Sequence, residues 1–241
     1  MKKLFLLTTS TALVFSAQLL QAEELSANVT FTSDYMFRGV SQTDNRGALQ
    51  GGFDISFENG IWAGTWASSI DLEGITDSRT ELDLYIGYSG EIGNSGVTFD
   101  VAAFHFEYEG PSEAADYQEY LFAVHINDLT LGLAYSPEYL GEALSDLLGD
   151  KVTFLYPHAD YTFSLPNDIS LNLHAGWNEM SEEGALEPGE DNYVDWSVGV
   201  SKEYLGAEFS LNYIDSNIDN LWGIKSDRAD GRVVFSITKS L

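Results

Sequence analysis

Apolar and polar residues alternate with a period of two along most of this chain, the signature of strands that face an apolar medium on one side and a polar one on the other. In 80–89, Leu82, Leu84, Ile86 and Tyr88 share one face, and Glu81, Asp83, Tyr85 and Gly87 share the other. In 169–178, Ile169, Leu171, Leu173, Ala175 and Trp177 oppose Ser170, Asn172, His174 and Gly176. Ala207, Phe209, Leu211 and Tyr213 oppose Glu208, Ser210 and Asn212, and near the end Val233, Phe235 and Ile237 oppose Val234, Ser236 and Thr238. The pattern predicts about twelve strands, over 25–34, 48–58, 61–70, 80–89, 97–106, 117–126, 129–136, 152–165, 169–178, 193–202, 207–215 and 231–241. Most have about the 9–11 residues with which a tilted strand crosses a bilayer. In the third run Trp62 and Trp66 leave the facing open.

The connections separate two all-β architectures. Asn59-Gly60 and Asn127-Asp128 are tight hairpin signals, and Pro166-Asn167-Asp168, 203–206 and 89–96 are also short. Between them come long connections at 35–47, 71–79, 107–116, 137–151, 179–192 and 216–230. A soluble sandwich would mix connection lengths through Greek-key crossings. Strict alternation of short and long instead predicts an all-β, closed up-and-down antiparallel transmembrane barrel, with tight turns at one end and variable loops at the other. Closure follows because an open set of strands would leave two unpaired edges in lipid.

One long connection has helical rather than strand periodicity. Ser136 is placed as an N-cap, Pro137 as the first helical residue and Gly149 as the closing glycine. Leu140, Leu144, Leu147 and Leu148 follow the spacing of one apolar helical face. The expectation is a short amphipathic helix that either folds into the barrel mouth and constricts it or packs on neighbouring loops at the rim.

The first 22 residues read as an export leader. Lys2 and Lys3 precede an apolar stretch from Leu4 to Leu20, and Leu20 and Ala22 suit a cleavage site before Glu23. A membrane-anchoring helix is the alternative, weakened by Thr8, Thr9, Ser10 and Gln18 within the run. The expected organisation is a signal peptide over 1–22 and one barrel domain over 23–241.

Composition then removes several classes of function. Among 241 residues, 38 are Asp or Glu, 11 are Lys or Arg and none is Cys, for a formal net charge of −27. Such acidity excludes a nucleic-acid binder, which needs cations for phosphate. Lack of cysteine excludes disulfide scaffolds, thiolate metal sites and a Cys nucleophile. The polar strand faces carry Asp54, Glu81, Asp83, Asp100, Glu119, Asp160, Asp195 and Glu208 against few bases, Arg232 and Arg38. Around a lumen with low-dielectric walls, these carboxylates would favour cations. Glu81 and Asp83, two positions apart, form a carboxylate pair that in a wet pore is more simply a source of field than an acid/base couple.

More acids lie in the loops: Glu179, Glu182, Glu183, Glu187, Glu190 and Asp191 in one, Glu107, Glu109, Glu113 and Asp116 in another. Facing lipopolysaccharide, they would hold Ca²⁺ or Mg²⁺ loosely at the rim. Asp215, Asn217 and Asp219 open like a calcium loop, but Asn220 and Ser226 stand where its Gly and Glu belong. His105, His125, His158 and His174 have no metal-ligand spacing. His158, Asp160 and Ser164 share a strand face, the raw material of a hydrolase triad, yet no G-x-S-x-G elbow is present. Tyr85, Phe104 and Tyr156 fall on the lumen side; Phe57, Tyr88, Trp177 and Tyr204 suit interfacial girdles.

Four segments together carry a family likeness: Thr32-Ser33-Asp34-Tyr35-Met36-Phe37-Arg38-Gly39-Val40-Ser41-Gln42-Thr43, Leu49-Gln50-Gly51-Gly52-Phe53-Asp54, Trp62-Ala63-Gly64-Thr65-Trp66-Ala67-Ser68 and Arg232-Val233-Val234-Phe235-Ser236-Ile237. They resemble the TorF family of porins, bacterial outer-membrane β-barrel proteins. The strongest likeness covers about the first fifth of the chain after the leader. Leu241 stands last here, where many outer-membrane barrels have Phe. The resemblance implies an outer-membrane channel without catalytic residues or cofactor. The expected function is passive diffusion of small hydrophilic solutes, biased toward cationic or neutral ones. The alternatives are a non-conducting structural or binding barrel, whose acidic loops engage divalent cations or a partner, and a barrel acting on lipids.

Overall fold

The computed structural model describes residues 24–72, 76, 78–108, 115–183, 190–218, 220–221, 224–225 and 227–241. The expected leader over 1–22 lies outside them, as do Glu109, Glu113, Glu187, Asp219 and Ser226. Twelve long strands form the fold: β1 (Glu24–Thr32), β2 (Ala48–Ser56), β3 (Ile61–Ser69), β4 (Thr80–Glu91), β5 (Thr98–Tyr108), β6 (Tyr117–Ile126), β7 (Leu129–Ser136), β8 (Phe154–Leu165), β9 (Ile169–Met180), β10 (Asn192–Tyr204), β11 (Ala207–Ser216) and β12 (Arg232–Ser240). Their ends differ from the alternation-based ranges by no more than two residues.

Each strand pairs antiparallel with the next, and β1 pairs with β12, so the barrel is closed and every strand has two partners. The short connections bear the conformations their residues favour. Leu205-Gly206, between the paired Tyr204 and Ala207, has φ of 53° and 74°, the two left-handed residues of a type I′ hairpin. Asn127, Asn167 and Asp168 are also left-handed, a region that Asn and Asp tolerate better than other side chains.

Because the strand period is two, closure sends one face of every strand outward. Leu84, Ile86, Leu131, Leu133, Val198, Val200, Leu211 and Val233 are exposed on the outer face. Aromatics flank them in two belts: Tyr88, Tyr161, Phe163 and Tyr204 toward the tight turns, and Tyr120, Tyr135, Trp177, Trp196 and Tyr213 toward the loops. Along β10, Trp196 and Tyr204 are eight positions apart. At about 3.3 Å per residue and a tilt of about 40°, that is roughly 20 Å, close to the apolar band of outer-membrane barrels. No helix among the described residues is long and apolar enough to cross a membrane; the strands are the elements of the right length.

The inward face holds Ser, Thr, Asn, His, carboxylates and aromatics. Trp62 and Trp66 point inward: Trp62 is buried against Tyr85, and Trp66 packs edge-on to Tyr35. At the loop end an apolar cluster joins inward side chains such as Phe106, Tyr117, Phe154 and Tyr193 to loop residues Tyr35, Val40, Tyr139, Leu140 and Leu144.

Candidate functional site

The site is the loop half of the lumen, and its central element is a connection rather than a strand. After β1 the chain turns inward over 33–47 and forms a small hairpin, Met36–Phe37 paired with Val40–Ser41. Its tip, Arg38-Gly39, has φ of 50° and 78°, again a type I′ turn. Asp34 pins the base: Oδ1 accepts from Ser41 Oγ (2.6 Å) and Thr43 Oγ1 (2.8 Å), and Oδ2 accepts from Arg232 Nη1 (2.9 Å). Glycine at position 39 meets two demands, since its φ is positive and a Cβ there would stand 2.8 Å from Ser216 Cβ.

From that base the hairpin reaches the wall in several directions. Tyr35 Oη donates to Glu81 Oε1 on β4 (3.3 Å). Met36, fully buried, packs with Ile214 on β11 and Val234 on β12. Tyr193 Oη on β10 donates to the Arg38 carbonyl (3.1 Å). The Arg38 guanidinium donates through both terminal nitrogens to the two oxygens of Glu119 on β6, at 2.8 and 2.7 Å. It lies over the rings of Phe154 and Tyr156 on β8, 4.5 and 4.4 Å from their centroids, with Phe37 at 4.6 Å. Contacts on β4, β6, β8, β10, β11 and β12 mean that the loop crosses the barrel interior.

Burial opposes the charge on Arg38, but Glu119 more than offsets it, and the guanidinium pKa lies well above its ordinary value. Tyr139, in the connection after β7, is pushed up to about 12 chiefly by burial, and its phenol stays neutral beside this pair.

Of the inward residues expected from sequence, Asp54, Glu81, Asp83, Asp100, Glu119, Asp160, Asp195 and Glu208 all lie on lumen-side positions of their strands. The structure draws them into separate groups. Asp54 accepts from Tyr85 Oη, and Asp100 is bonded by Ser89 Oγ and by His125 (2.7 Å). Glu81 Oε2 and Asp83 Oδ1 are buried and have no hydrogen-bond partner among the described residues. Arg232 serves the base of the inward loop through Asp34 and Asn45.

Asp160 and Asp195 belong to a network that no spacing within one strand reveals. Asp160 bonds His158 Nδ1 (2.8 Å) through one oxygen and His174 Nδ1 (2.7 Å) through the other. His174 Nε2 continues to Asp195 (3.0 Å) and Tyr156 Oη (2.8 Å), and Asn178 Nδ2 donates to Asp195 (2.7 Å). His158, Asp160 and His174 offer ligand atoms within 4.8 Å of one another and are the described residues best placed to hold a metal ion. The link is cross-strand, since Asp160 stands opposite His174 in the β8–β9 register. Ser164 hydrogen-bonds to neither histidine, so the triad read along one strand face does not assemble.

The amphipathic helix exists but departs from its expected start and face. Helix α1 spans Gly141–Leu148 and ends on the left-handed Gly149. Its N-cap is Leu140, itself left-handed and without a side-chain cap, so neither Ser136 nor Pro137 begins it. Ser136 is instead the last residue of β7. Leu140 and Leu144 are buried in the loop-end cluster and Leu148 packs against it, whereas Leu147 is 61% exposed. An i, i+4, i+8 line is buried because one narrow stripe suffices against an already filled mouth. Of the two placements expected for this helix, constriction of the mouth or packing on neighbouring loops, its buried leucines show packing in the loop-end cluster, and the segment that crosses the lumen is 33–47.

A closed antiparallel barrel with an apolar girdle and a polar interior defines the outer-membrane porin type of fold. Among solved structures, a KdgM porin aligns at TM-score 0.52 and 10% identity, covering 89% of this chain and 97% of that one. A NanC porin aligns at TM-score 0.54 and 10% identity, covering 89% and 98%. At such identity the likeness is one of fold. Outer membrane phospholipase A from Escherichia coli aligns at TM-score 0.45, too loosely to carry an argument. A search of curated proteins gives no match. By sequence the chain belongs to the family described as "Bacterial protein of unknown function (Gcw_chp)", whose model matches residues 17–241. The porin-type barrel expected from the resemblance is thus present, and the family whose model matches is Gcw_chp.

Proposed function

We propose that this protein is an outer-membrane channel for passive diffusion of small hydrophilic solutes, with a preference for cationic or neutral ones. The observation that carries the reading is the charge of the inner face. Asp54, Glu81, Asp83, Asp100, Glu119, Asp160, Asp195 and Glu208 lie there against Arg38 and Arg232, inside a wall whose other face suits lipid. Fixed carboxylates between low-dielectric walls concentrate cations and repel anions, and no chemical step is needed. On this reading the leader over 1–22 exports the chain, the aromatic belts seat it in the outer membrane, and the acidic loops meet lipopolysaccharide through loosely held Ca²⁺ or Mg²⁺.

The loop over 33–47 supports a second reading, a barrel that does not conduct at rest. Its hairpin reaches six strands and would block solutes unless it moves. Single-channel recording of the refolded protein in a planar bilayer under a KCl gradient separates the two. Current steps with a reversal potential favouring K⁺ are expected. A correctly inserted barrel that passes no current, even under voltages that open other porins, would establish the structural reading instead.

A further inference from the structure

The partners of Arg38 differ in origin. Phe37 belongs to the loop, but Glu119, Phe154 and Tyr156 belong to the barrel wall, on β6 and β8. They stay in place if the loop leaves. We propose that these three wall residues form a binding site for guanidinium-type cations, occupied in this conformation by the chain's own Arg38. The inference deepens the channel reading by naming the ligand class of the level that the loop crosses, and rests on that reading only for the route by which a ligand arrives.

The chemistry of the pocket is specific. Glu119 receives two parallel N–H···O bonds, an arrangement that a planar guanidinium makes and an ammonium does not. Phe154 and Tyr156 stand two positions apart on β8 with rings 16° from parallel, so together they offer a wide π-face to a flat cation. The Arg38 and Glu119 side chains are 4% and 5% exposed, and at that depth a charged ligand needs such a counter-ion. Glu81 and Asp83, on the inner face of β4, each keep a buried oxygen that receives no hydrogen bond from a described residue, leaving acceptors at the same level for a polar ligand.

The attachment of the loop makes Arg38 a tethered occupant. Asp34 and Arg232 fix its base, so the guanidinium is presented at high effective concentration, and free cations compete poorly while the hairpin is inserted. The tip also places a non-glycine residue in the left-handed region, at φ 50°, a conformation unfavourable for Arg in itself and held by what the side chain binds. Withdrawal of the hairpin would expose a vacated cradle facing the lumen.

The test empties the cradle. Arg38→Ala is refolded in detergent micelles and titrated calorimetrically with guanidinium chloride at millimolar, non-denaturing concentration, with tetramethylammonium chloride at matched ionic strength as control. Selective guanidinium binding is expected in Arg38→Ala, weakened about tenfold or more by adding Glu119→Gln, the size expected from loss of a charge-assisted pair. The wild-type chain should bind far more weakly than Arg38→Ala. Equal affinity of Arg38→Ala for the two cations, or no loss in the double variant, would overturn the site. If Arg38→Ala does not refold, Arg38→Lys serves, because it keeps a loop charge but not the fork; the same selectivity supports the site and its absence overturns it. The channel reading is judged separately by current. Selective binding without current keeps the site and removes the channel, and current without selectivity does the reverse.

Discussion

The two halves of the lumen are built on opposite plans. Toward the tight turns, inward side chains bond to neighbours along the wall: Thr30 to Thr238, Thr162 to Asn172, Asn172 to Ser201 and Asn212 to Ser210, and, on the other side of the barrel, Trp62 to Ser89 and His125 to Asp100. Toward the loops, aromatics and charges predominate, and the bonds run from the inward hairpin to the wall, as in Arg38–Glu119, Tyr35–Glu81 and Tyr193–Arg38. A wall-following ladder ties each strand to its neighbours. A hairpin bonded to several sides of the wall crosses the lumen. On the proposed channel reading, the contrast assigns the control of passage to the loop end.

The largest expected effect comes from cutting the main tie. Breaking a buried ion pair by removing one partner costs about 3–5 kcal/mol. Glu119→Ala should therefore move the balance between inserted and withdrawn hairpin by about two to four orders of magnitude. Two measurements read it. Mean open-channel current should rise several-fold, and trypsin should cut after Arg38, which is 3% exposed in the inserted state. A current and digestion pattern indistinguishable from wild type would mean that Glu119 does not hold the loop, and the contrast between the halves would lose its mechanism.

The next effect sharpens the contrast within the loop end, between a segment that crosses and one that covers. Leu144 is 3% exposed and Leu147 is 61% exposed on the same helix. Leu144→Ala should lower the opening free energy of α1 by about 2–5 kcal/mol, and Leu147→Ala should change it by no more than about 0.5 kcal/mol. Amide hydrogen exchange over 141–148 measures both. Equal effects would place the helix stripe elsewhere.

What could be read from sequence follows from what is periodic. Strand facing was legible because lipid outside and water inside impose one rule on every strand, so Glu81, Asn172 and Asn212 could be turned inward without knowing their neighbours. The tight turns were legible from Asn-Gly and Asn-Asp chemistry. The inward hairpin was not, because Tyr35-Met36-Phe37-Arg38-Gly39-Val40 is too short for a period to emerge. Arg38 was read as one of two bases on the polar faces, with no sign that it opposes Glu119, 81 positions away. A weak signal was present in Arg38-Gly39 between two apolar residues, since Gly at the second turn position suits a tight hairpin. The helix start was misplaced for a related reason: Ser136 and Pro137 have capping chemistry, but Ser136 is still paired with Phe154 in the barrel, and strand pairing outweighs a cap. His174 joined Asp160 only through the β8–β9 register, which a single sequence does not set.

The smallest expected effect tests the turn half. Asn172 Nδ2 donates to Ser201 Oγ at 3.3 Å and its Oδ1 accepts from Thr162 Oγ1 at 3.2 Å, both long bonds between neighbouring strands. Asn172→Ala removes two neutral bonds whose partners can turn to lumen water, so the loss should be about 1 kcal/mol in the urea-unfolding free energy of the refolded barrel. Current should stay near the wild-type level, because no bond to the inward hairpin is lost. A rise in current matching that of Glu119→Ala would show that the turn half also restricts flow. The limit to passage would then be shared along the lumen, and the tie between Arg38 and Glu119 would be one resistance in series rather than the gate.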